Sequence, residues 1–230
     1  MKQSKRYNDN LDKIDREKEY GLEEAASLLV EASHVKFDES IEMAINLSVD
    51  PKHADQIVRG TVTLPNGIGK DIKVLVFAKD ELAEQAENAG ADYVGSSDMV
   101  EKVKGGWTDV DVVIATPNMM GEVGKLGKIL GPRGLMPNPK IGTVTMDIAK
   151  AVEESKTGKI EFRVDKYGII HNSIGKLSFD KEKIIENARV FFNAIKKARP
   201  QASKGTYMKK VTITSTMGPG IKLDIAKLLG

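Results

Sequence analysis

The sequence predicts a protein of mixed α/β and α+β class with two domains. Residues 1–67 and 159–230 together form a split α+β sandwich domain, and residues 68–158 form an inserted Rossmann-like α/β domain. Three observations lead to this prediction. Polar and apolar residues alternate near both ends of the chain, continuous apolar runs separate helical patterns in the middle, and the charge balance differs between the segments.

The first outer segment contains one helical pattern and two strand patterns. Residues 22–32 repeat apolar side chains at helical spacing. Residues 40–49 alternate strictly, with Ile41 and every second residue after it apolar, so they predict a half-buried strand with one polar face. Residues 60–64 predict a second strand, which ends at the turn-forming residues 65–69.

The middle segment alternates strands with helices. Apolar runs at residues 72–78 and 110–116 predict strands that are buried on both faces. A helix follows the first run, with Asp80 as its N-cap and Gly90 as its end. The other elements predicted here are strands at 91–95 and 142–145 and helices at 97–106, 120–131 and 147–158. This order predicts a parallel sheet.

Alternation returns at residue 159. Residues 159–165 and 167–176 predict two strands of a hairpin, and residues 180–199 predict a long amphipathic helix that ends before Pro200. Residues 207–220 predict the last strand, and the chain ends in a short helix. The chain would cross between the two domains at two adjacent strands, which predicts a hinge.

The charge distribution suggests a polyanionic partner. Net charge is +2 overall, but residues 1–67 carry −4, residues 68–158 carry −3 and residues 159–230 carry +9. Such asymmetry is typical of a protein that binds a polyanion through its last third. A solvated lysine-rich surface is the alternative explanation.

Composition argues against several classes of function. The chain has no cysteine, no apolar run long enough to span a membrane and no signal-peptide pattern, so we expect a cytoplasmic protein without thiol chemistry or membrane contact. His34, His53 and His171 lack the spacing of metal ligands, and no nucleophile motif is present. We therefore predict no catalytic residues, no metal and no cofactor.

The inserted domain leaves one enzymatic alternative, a nucleotide-dependent enzyme. Against it, the run after residue 78 lacks the glycine-rich fingerprint of dinucleotide binding, and residues 121–131 lack the spacing of a phosphate loop. Gly121, Gly124 and Gly127 recur every three residues, which either permits close helix packing or weakens the helix.

Two further segments have an unusual composition. Residues 125–143 combine prolines, glycines and basic residues in a stiff, irregular loop, whose core is Gly131–Lys140. Residues 216–220 end a strand in a sharp turn that exposes a hydroxyl, a methionine and backbone amides. Short polar groups on the strand face beside this turn suit hydrogen bonds to sugar hydroxyls and phosphates.

The motifs GKLGKILGPRGLMPNPKIGTVT, KKVTITSTMGPGIKLD and the stretch from Ala32 to Gly67 resemble the bacterial ribosomal protein L-one family. The resemblance covers essentially the whole chain. It implies two domains with a hinge and a ribosome-associated protein that binds the stalk region of large-subunit ribosomal RNA. It also implies help in releasing deacylated tRNA from the exit site and repression of the protein's own operon mRNA. A repressor that acts off the ribosome, as a monomer, would use the same site.

The resemblance also implies which residues bind RNA. All of these lie on the split domain, and they are Lys36, Phe37, Ser40, Glu42, His171, Thr216, Met217 and Gly218. Position 40 can be threonine in the family, and the serine here keeps the hydroxyl. The Thr216 hydroxyl is expected to face the RNA, so that its loss would barely affect folding. The role of the Gly131–Lys140 loop stays open between a contact with RNA and a place near the domain interface.

Overall fold

The computed structural model describes residues 4–32 and 35–229. The α-helices are α1 (Lys5–Leu11), α2 (Leu22–Ala32), α3 (Glu81–Asn88), α4 (Ser97–Lys104), α5 (Met120–Val123), α6 (Gly127–Leu130), α7 (Ile148–Lys156), α8 (Lys181–Lys197) and α9 (Ile225–Leu229). The strands are β1 (Ser40–Leu47), β2 (Arg59–Thr63), β3 (Val74–Phe77), β4 (Tyr93–Gly95), β5 (Val112–Ala115), β6 (Lys159–Arg163), β7 (Ile169–Lys176), β8 (Met208–Ser215) and β9 (Ile221–Leu223).

The chain divides into two compact units. The split unit consists of Met1–Gly69 and Ile160–Gly230, and the inserted unit consists of Lys70–Lys159. The predicted mixture of helices and several sheets is confirmed. The assignment of two separate domains, with boundaries at 67/68 and 158/159, stays a prediction.

The split unit is built on a four-stranded sheet in the order β7-β1-β8-β9. The strands pair antiparallel throughout. Helices α2 and α8 pack against one face, where Ile41, Met43, Phe191 and Phe192 are fully buried. Because alternate residues of a strand point to opposite faces, burial of this apolar set places the polar set of β1 and β8 on the other face.

The inserted unit is a three-stranded parallel sheet in the order β4-β3-β5. Residues of the central strand β3 alternate between two apolar clusters. Leu75 and Phe77 pack with α4, α5 and α6, whereas Val74 and Val76 pack with α3 and α7. Helices on both faces bury all four residues of β3, as its continuous apolar run predicts.

Several predicted elements differ from the structure. The predicted hairpin is wrong, because β6 pairs with β2, whereas β7 pairs with β1. The predicted strand at 142–145 is reduced to one bridge between Ala115 and Val144. Helix α1 and strand β9 were not predicted, since their segments are short and lack a clear apolar period.

The predicted helix at 120–131 is interrupted in the structure. Between Pro117 and Leu130 the chain forms α5, α6 and two 3₁₀ turns instead of one continuous helix. Gly121, Gly124 and Gly127 face open space, so no neighbouring helix of the described chain approaches them. The close-packing explanation is wrong here, and the interruption agrees with the alternative that glycine weakens the helix.

The ends of α3 differ in how well the sequence predicted them. Asp80 precedes the helix, but its side chain makes no capping hydrogen bond and its backbone has a φ of 51°. At the other end, Gly90 has a φ of 88°, in the left-handed region that favours glycine at a helix end.

Tyr207 is a buried tyrosine whose hydroxyl has no hydrogen-bond partner among the described residues. Burial raises the pKa of Tyr207 to about 12, and the Arg199 guanidinium offsets part of this effect. The unfolded chain ionises first, near the ordinary pKa of 10.0. As far as it depends on the ionisation of Tyr207, the free energy of unfolding is therefore at its full value below pH 10.0 and falls as the pH rises through about 12.

We expect Tyr207→Phe to be at least as stable as wild type at pH 7, because it removes a buried hydroxyl without a partner. Between pH 10 and 12 the variant should lose less stability than wild type. Thermal midpoints across this range measure the difference. Tyr167 is exposed, so Tyr167→Phe is the control and should follow wild type. Parallel pH curves for wild type and Tyr207→Phe would contradict the assignment.

Candidate nucleic-acid interface

The start of β1 and the end of β8 meet at one end of the four-stranded sheet. Ile41 pairs with Ser215, so Ser40 lies beside Thr216 although 176 residues separate them in the chain. The Thr216 amide donates to the Ser40 carbonyl at 3.0 Å. This pairing brings together the residues that the sequence placed in two distant motifs.

The Thr216 hydroxyl bonds to the protein itself. It accepts from the Ser40 amide at 3.0 Å and lies 3.2 Å from the Ser40 carbonyl oxygen. The expectation that this hydroxyl is free of the fold is therefore wrong. Its contacts continue the β1–β8 ladder for one more residue, which fixes where the following turn begins.

The turn after β8 is compact and closely packed. The Gly218 amide donates to the Ser215 carbonyl at 3.1 Å. A Cβ atom on Gly218 would lie 2.4 Å from Ser215 Oγ, so a larger residue would force a shift. Thr214 Oγ1 lies 3.2 Å from the Gly218 carbonyl oxygen and 3.3 Å from that of Pro219. The glycine thus permits a tight backbone approach at the strand end.

Met217 is held through its backbone on both sides. Its amide donates to Glu39 Oε2 at 2.7 Å, and Glu39 is fully buried. Its carbonyl accepts from Arg6 Nη2 at 3.0 Å. The Met217 side chain is nevertheless 49% exposed. A fixed backbone therefore presents a flexible apolar side chain to a partner.

Sequence reasoning missed both groups that hold Met217. For Glu39 a signal existed, because Ile41 and Met43 face the core and the period of two places Glu39 on the same side. No comparable signal existed for Arg6, which lies 211 residues from Met217 in the chain.

The segment between α2 and β1 adds an exposed aromatic side chain. Phe37 is 54% exposed, and Lys36 beside it is exposed as well. Both directly precede the segment that contains Glu39 and Ser40. We call the group of Lys36, Phe37, Ser40, Glu42, Thr216, Met217 and Gly218 the strand-end surface.

Lys176 adds a cation to this surface that sequence reasoning did not select. Its Nζ donates to Ser40 Oγ at 2.9 Å and lies 3.4 Å from the Asp38 carbonyl oxygen. The Asp38 carboxylate accepts from the amide and the hydroxyl of Ser178. The Ser40 hydroxyl thus accepts one hydrogen bond from the protein and keeps its own proton for another partner.

Glu42 and His171 lie farther along the polar face. Glu42 is exposed between its register partners Thr214 and Ser173. His171 is opposite Ala44, which places it about 13 Å from Ser40 along the strand at about 3.3 Å per residue. The structure therefore brings Ser40 together with Thr216, Met217 and Gly218 at the strand end. Lys36, Phe37 and Glu42 are close to Ser40 in the chain, whereas His171 is separate from them. Its Nε2 lies 3.9 Å from Asp165 Oδ2.

The polar face is smaller than the sequence suggested. Lys210 and Thr212 line a cavity of about 320 Å³ together with Tyr7 and Leu11 of α1, which was not predicted. Glu161 and Arg163 belong to β6 of the two-stranded sheet and not to the sheet that contains β1. The remaining polar face consists of the polar positions of β1 and β7 together with the strand end.

Metal or membrane functions receive no positive support. Within residues 4–32 and 35–229, no three His, Asp or Glu side chains are grouped to hold a metal ion. In the same described part of the chain, no helix is long and apolar enough to cross a membrane. Of the histidines considered as ligands, His34 lies outside the described residues.

Comparison with protein families identifies the chain. The family described as "Ribosomal protein L1p/L10e family" matches residues 29–219, which include the whole strand-end surface and the inserted unit. The chain belongs to the ribosomal protein L1p/L10e family. The predicted family resemblance is confirmed.

Membership of the L1p/L10e family defines the general function. The chain is a ribosomal protein of the large subunit, and its partner is ribosomal RNA. The L1p/L10e family consists of structural, non-enzymatic ribosomal proteins, so a nucleotide-dependent enzyme on the inserted unit has no support from it.

We expect Thr216→Val to lower the thermal midpoint by a few degrees. The change removes the acceptor for the Ser40 amide, a loss of about 0.5–1.5 kcal/mol. Thr216→Ser keeps the hydroxyl and should retain most of the stability. Thr212→Val lies on the same strand and serves as the matched control, with little change expected. A Thr216→Val variant that melts like wild type would show that the hydroxyl does not support the strand end.

We expect Glu39→Ala to loosen the turn at Met217. The change leaves the Met217 amide without its carboxylate acceptor, at a cost of about 1–3 kcal/mol in stability. Glu39→Gln keeps a carbonyl acceptor and should lose less. Hydrogen exchange of the Met217 amide measures the effect directly, and exchange should accelerate most in Glu39→Ala. Glu31→Ala, at an exposed site on α2, is the control. Equal exchange in all these variants would rule out this role of Glu39.

Proposed function

We propose that the strand-end surface binds the stalk region of large-subunit ribosomal RNA, and that His171 contacts the same RNA farther along the sheet. In this proposal residues 1–67 and 159–230 are the RNA-binding domain, and residues 68–158 are an inserted Rossmann-like domain joined by a hinge. The protein acts in the cytoplasm on the ribosome and is a monomer when free.

The observation that supports this proposal is the fixed backbone beneath the exposed Met217 side chain. Glu39, Arg6 and the Thr216–Ser40 contacts hold the turn before any partner binds. Binding therefore costs little ordering of the backbone, so most of the contact energy contributes to affinity.

The groups on the surface suit RNA in distinct ways. Phe37 and Met217 offer apolar contact to a ribose or a base, and Lys36 and Lys176 can neutralise phosphates. The exposed Glu42 carboxylate can accept a hydrogen bond from a ribose 2′-hydroxyl, which distinguishes RNA from DNA.

Two further activities follow from the family resemblance. On the ribosome the protein assists release of deacylated tRNA from the exit site. Away from the ribosome it represses translation of its own operon mRNA, because that mRNA offers an RNA shape similar to the stalk. Both RNAs would occupy the strand-end surface, so the two states are mutually exclusive.

Phe37→Ala tests the proposal. The variant loses apolar burial against the RNA, and we expect its affinity for a transcript of the ribosomal RNA stalk to fall about tenfold or more. Repression of the operon mRNA in a translation assay should weaken in parallel, because the same surface binds both RNAs.

Tyr167→Ala is the matched control. Tyr167 is an aromatic side chain with 72% exposure, and it precedes β7 at the end of the sheet opposite Ser40. Its loss should leave stalk binding unchanged. Equal losses for Tyr167→Ala and Phe37→Ala, or none for Phe37→Ala, would place the RNA site elsewhere.

A further inference from the structure

The inserted unit contains a long segment without a carboxylate. Residues 123–146 include Lys125, Lys128, Arg133 and Lys140 and no aspartate or glutamate. All four cations are exposed. None of them forms an ion pair with the described residues, although Arg133 donates to the Thr108 hydroxyl. Their charges are therefore not neutralised within the inserted unit.

The segment that carries these cations packs on the α4 side of the parallel sheet. Leu126 and Leu130 of the segment are buried in the same apolar cluster as Met99 and Val103 of α4. The opposite face is covered by α3 and α7. Helix α3 carries three glutamates and no lysine or arginine. The carboxylate-free segment is thus a locally basic region in a unit whose net charge is negative.

The loop that holds Arg133 and Lys140 is fixed by hydrogen bonds. The Asn138 amide donates to Thr143 Oγ1 at 2.8 Å, and the Asn138 side chain accepts from the Lys140 amide at 2.9 Å. The Ala115 amide of β5 donates to the Thr143 carbonyl at 2.9 Å, which attaches the loop to the sheet. Prolines further restrict the backbone conformations that the loop can adopt. Cations on such a support lose little backbone entropy when they bind.

We propose that the inserted unit has a second RNA-binding surface, which we call the cationic face and define by Lys125, Lys128, Arg133 and Lys140. The cationic face contacts the phosphate backbone of an RNA helix without reading its sequence. RNA is the polyanion that a ribosomal protein meets. A membrane surface fits less well, because it requires exposed apolar anchors. In the described chain the large exposed hydrophobics are Val30, Phe37, Met146, Tyr167 and Met217, and of these Met146 alone belongs to the segment, at its end. One methionine is too small an apolar anchor for a membrane surface.

The contact is electrostatic, so its test is a salt titration. The full-length protein is titrated with a 24-base-pair RNA duplex of arbitrary sequence, with Lys125, Lys128 and Lys140 changed together to glutamine. Arg133 stays, because its bond to Thr108 supports the loop. We expect a loss of about tenfold in affinity at low salt, and a salt slope smaller in magnitude by about two, since each neutralised phosphate contributes about 0.7–0.9.

The matched control changes Lys181, Lys196 and Lys197 of α8 to glutamine. These lysines are exposed, and the change in net charge is the same. Duplex affinity should stay within twofold of wild type. Equal losses in both triple variants would show that overall charge alone matters, and no loss in the first variant would show that the face does not bind RNA; either result overturns the proposal. Circular dichroism confirms that each variant folds.

A second measurement locates the RNA directly. The chain has no cysteine, so Lys128→Cys provides one attachment point for a photoactivated crosslinker. RNA should crosslink at position 128 and not at Lys181→Cys, and the reverse result overturns the proposal. Phe37→Ala should bind the duplex normally, because the face acts independently of the strand-end surface. Loss of stalk binding and loss of duplex binding therefore report on separate sites.

Discussion

The pairing of β1 with β8 determines the strand-end surface. It joins residues from two ends of the chain, so that Ser40 and Thr216 exchange backbone and side-chain hydrogen bonds. The turn at Met217 begins where this ladder stops. Every other contact of the turn, including the one to buried Glu39, depends on that starting point. A shift of one residue in the register would turn the polar set of β1 into the core.

The core beneath the sheet keeps this register in place. Ile41, Met43 and Ile45 are fully buried against α2 and α8, so any slip would expose them and bury polar residues. Burial on one face is thus the reason that the opposite face can carry short polar groups in fixed positions. The same alternation draws Glu39 inward, where its carboxylate serves the turn instead of facing solvent.

The two units fix their exposed segments in different ways. The split unit fixes a turn by long-range hydrogen bonds, whereas the inserted unit fixes a loop by local ones, between Asn138 and Thr143. In the first case exposed apolar and neutral polar groups dominate the surface. In the second case the exposed groups are cations, and prolines and glycines take the place of regular structure. We therefore expect shape-dependent contact from the first surface and salt-dependent contact from the second.

The sequence by itself determined the element types, because apolar periods of two and 3.6 are local properties that α2, β1, β3 and α8 display clearly. Its motifs also identified the family. Tertiary structure alone decided that β6 pairs with β2, that α1 shares a cavity with Lys210 and Thr212, and that Glu39 and Arg6 hold Met217. These contacts join residues far apart in the chain. Such partners are selected by packing. The period of two places Glu39 on the buried side, but no period in the sequence pairs Glu39 or Arg6 with Met217.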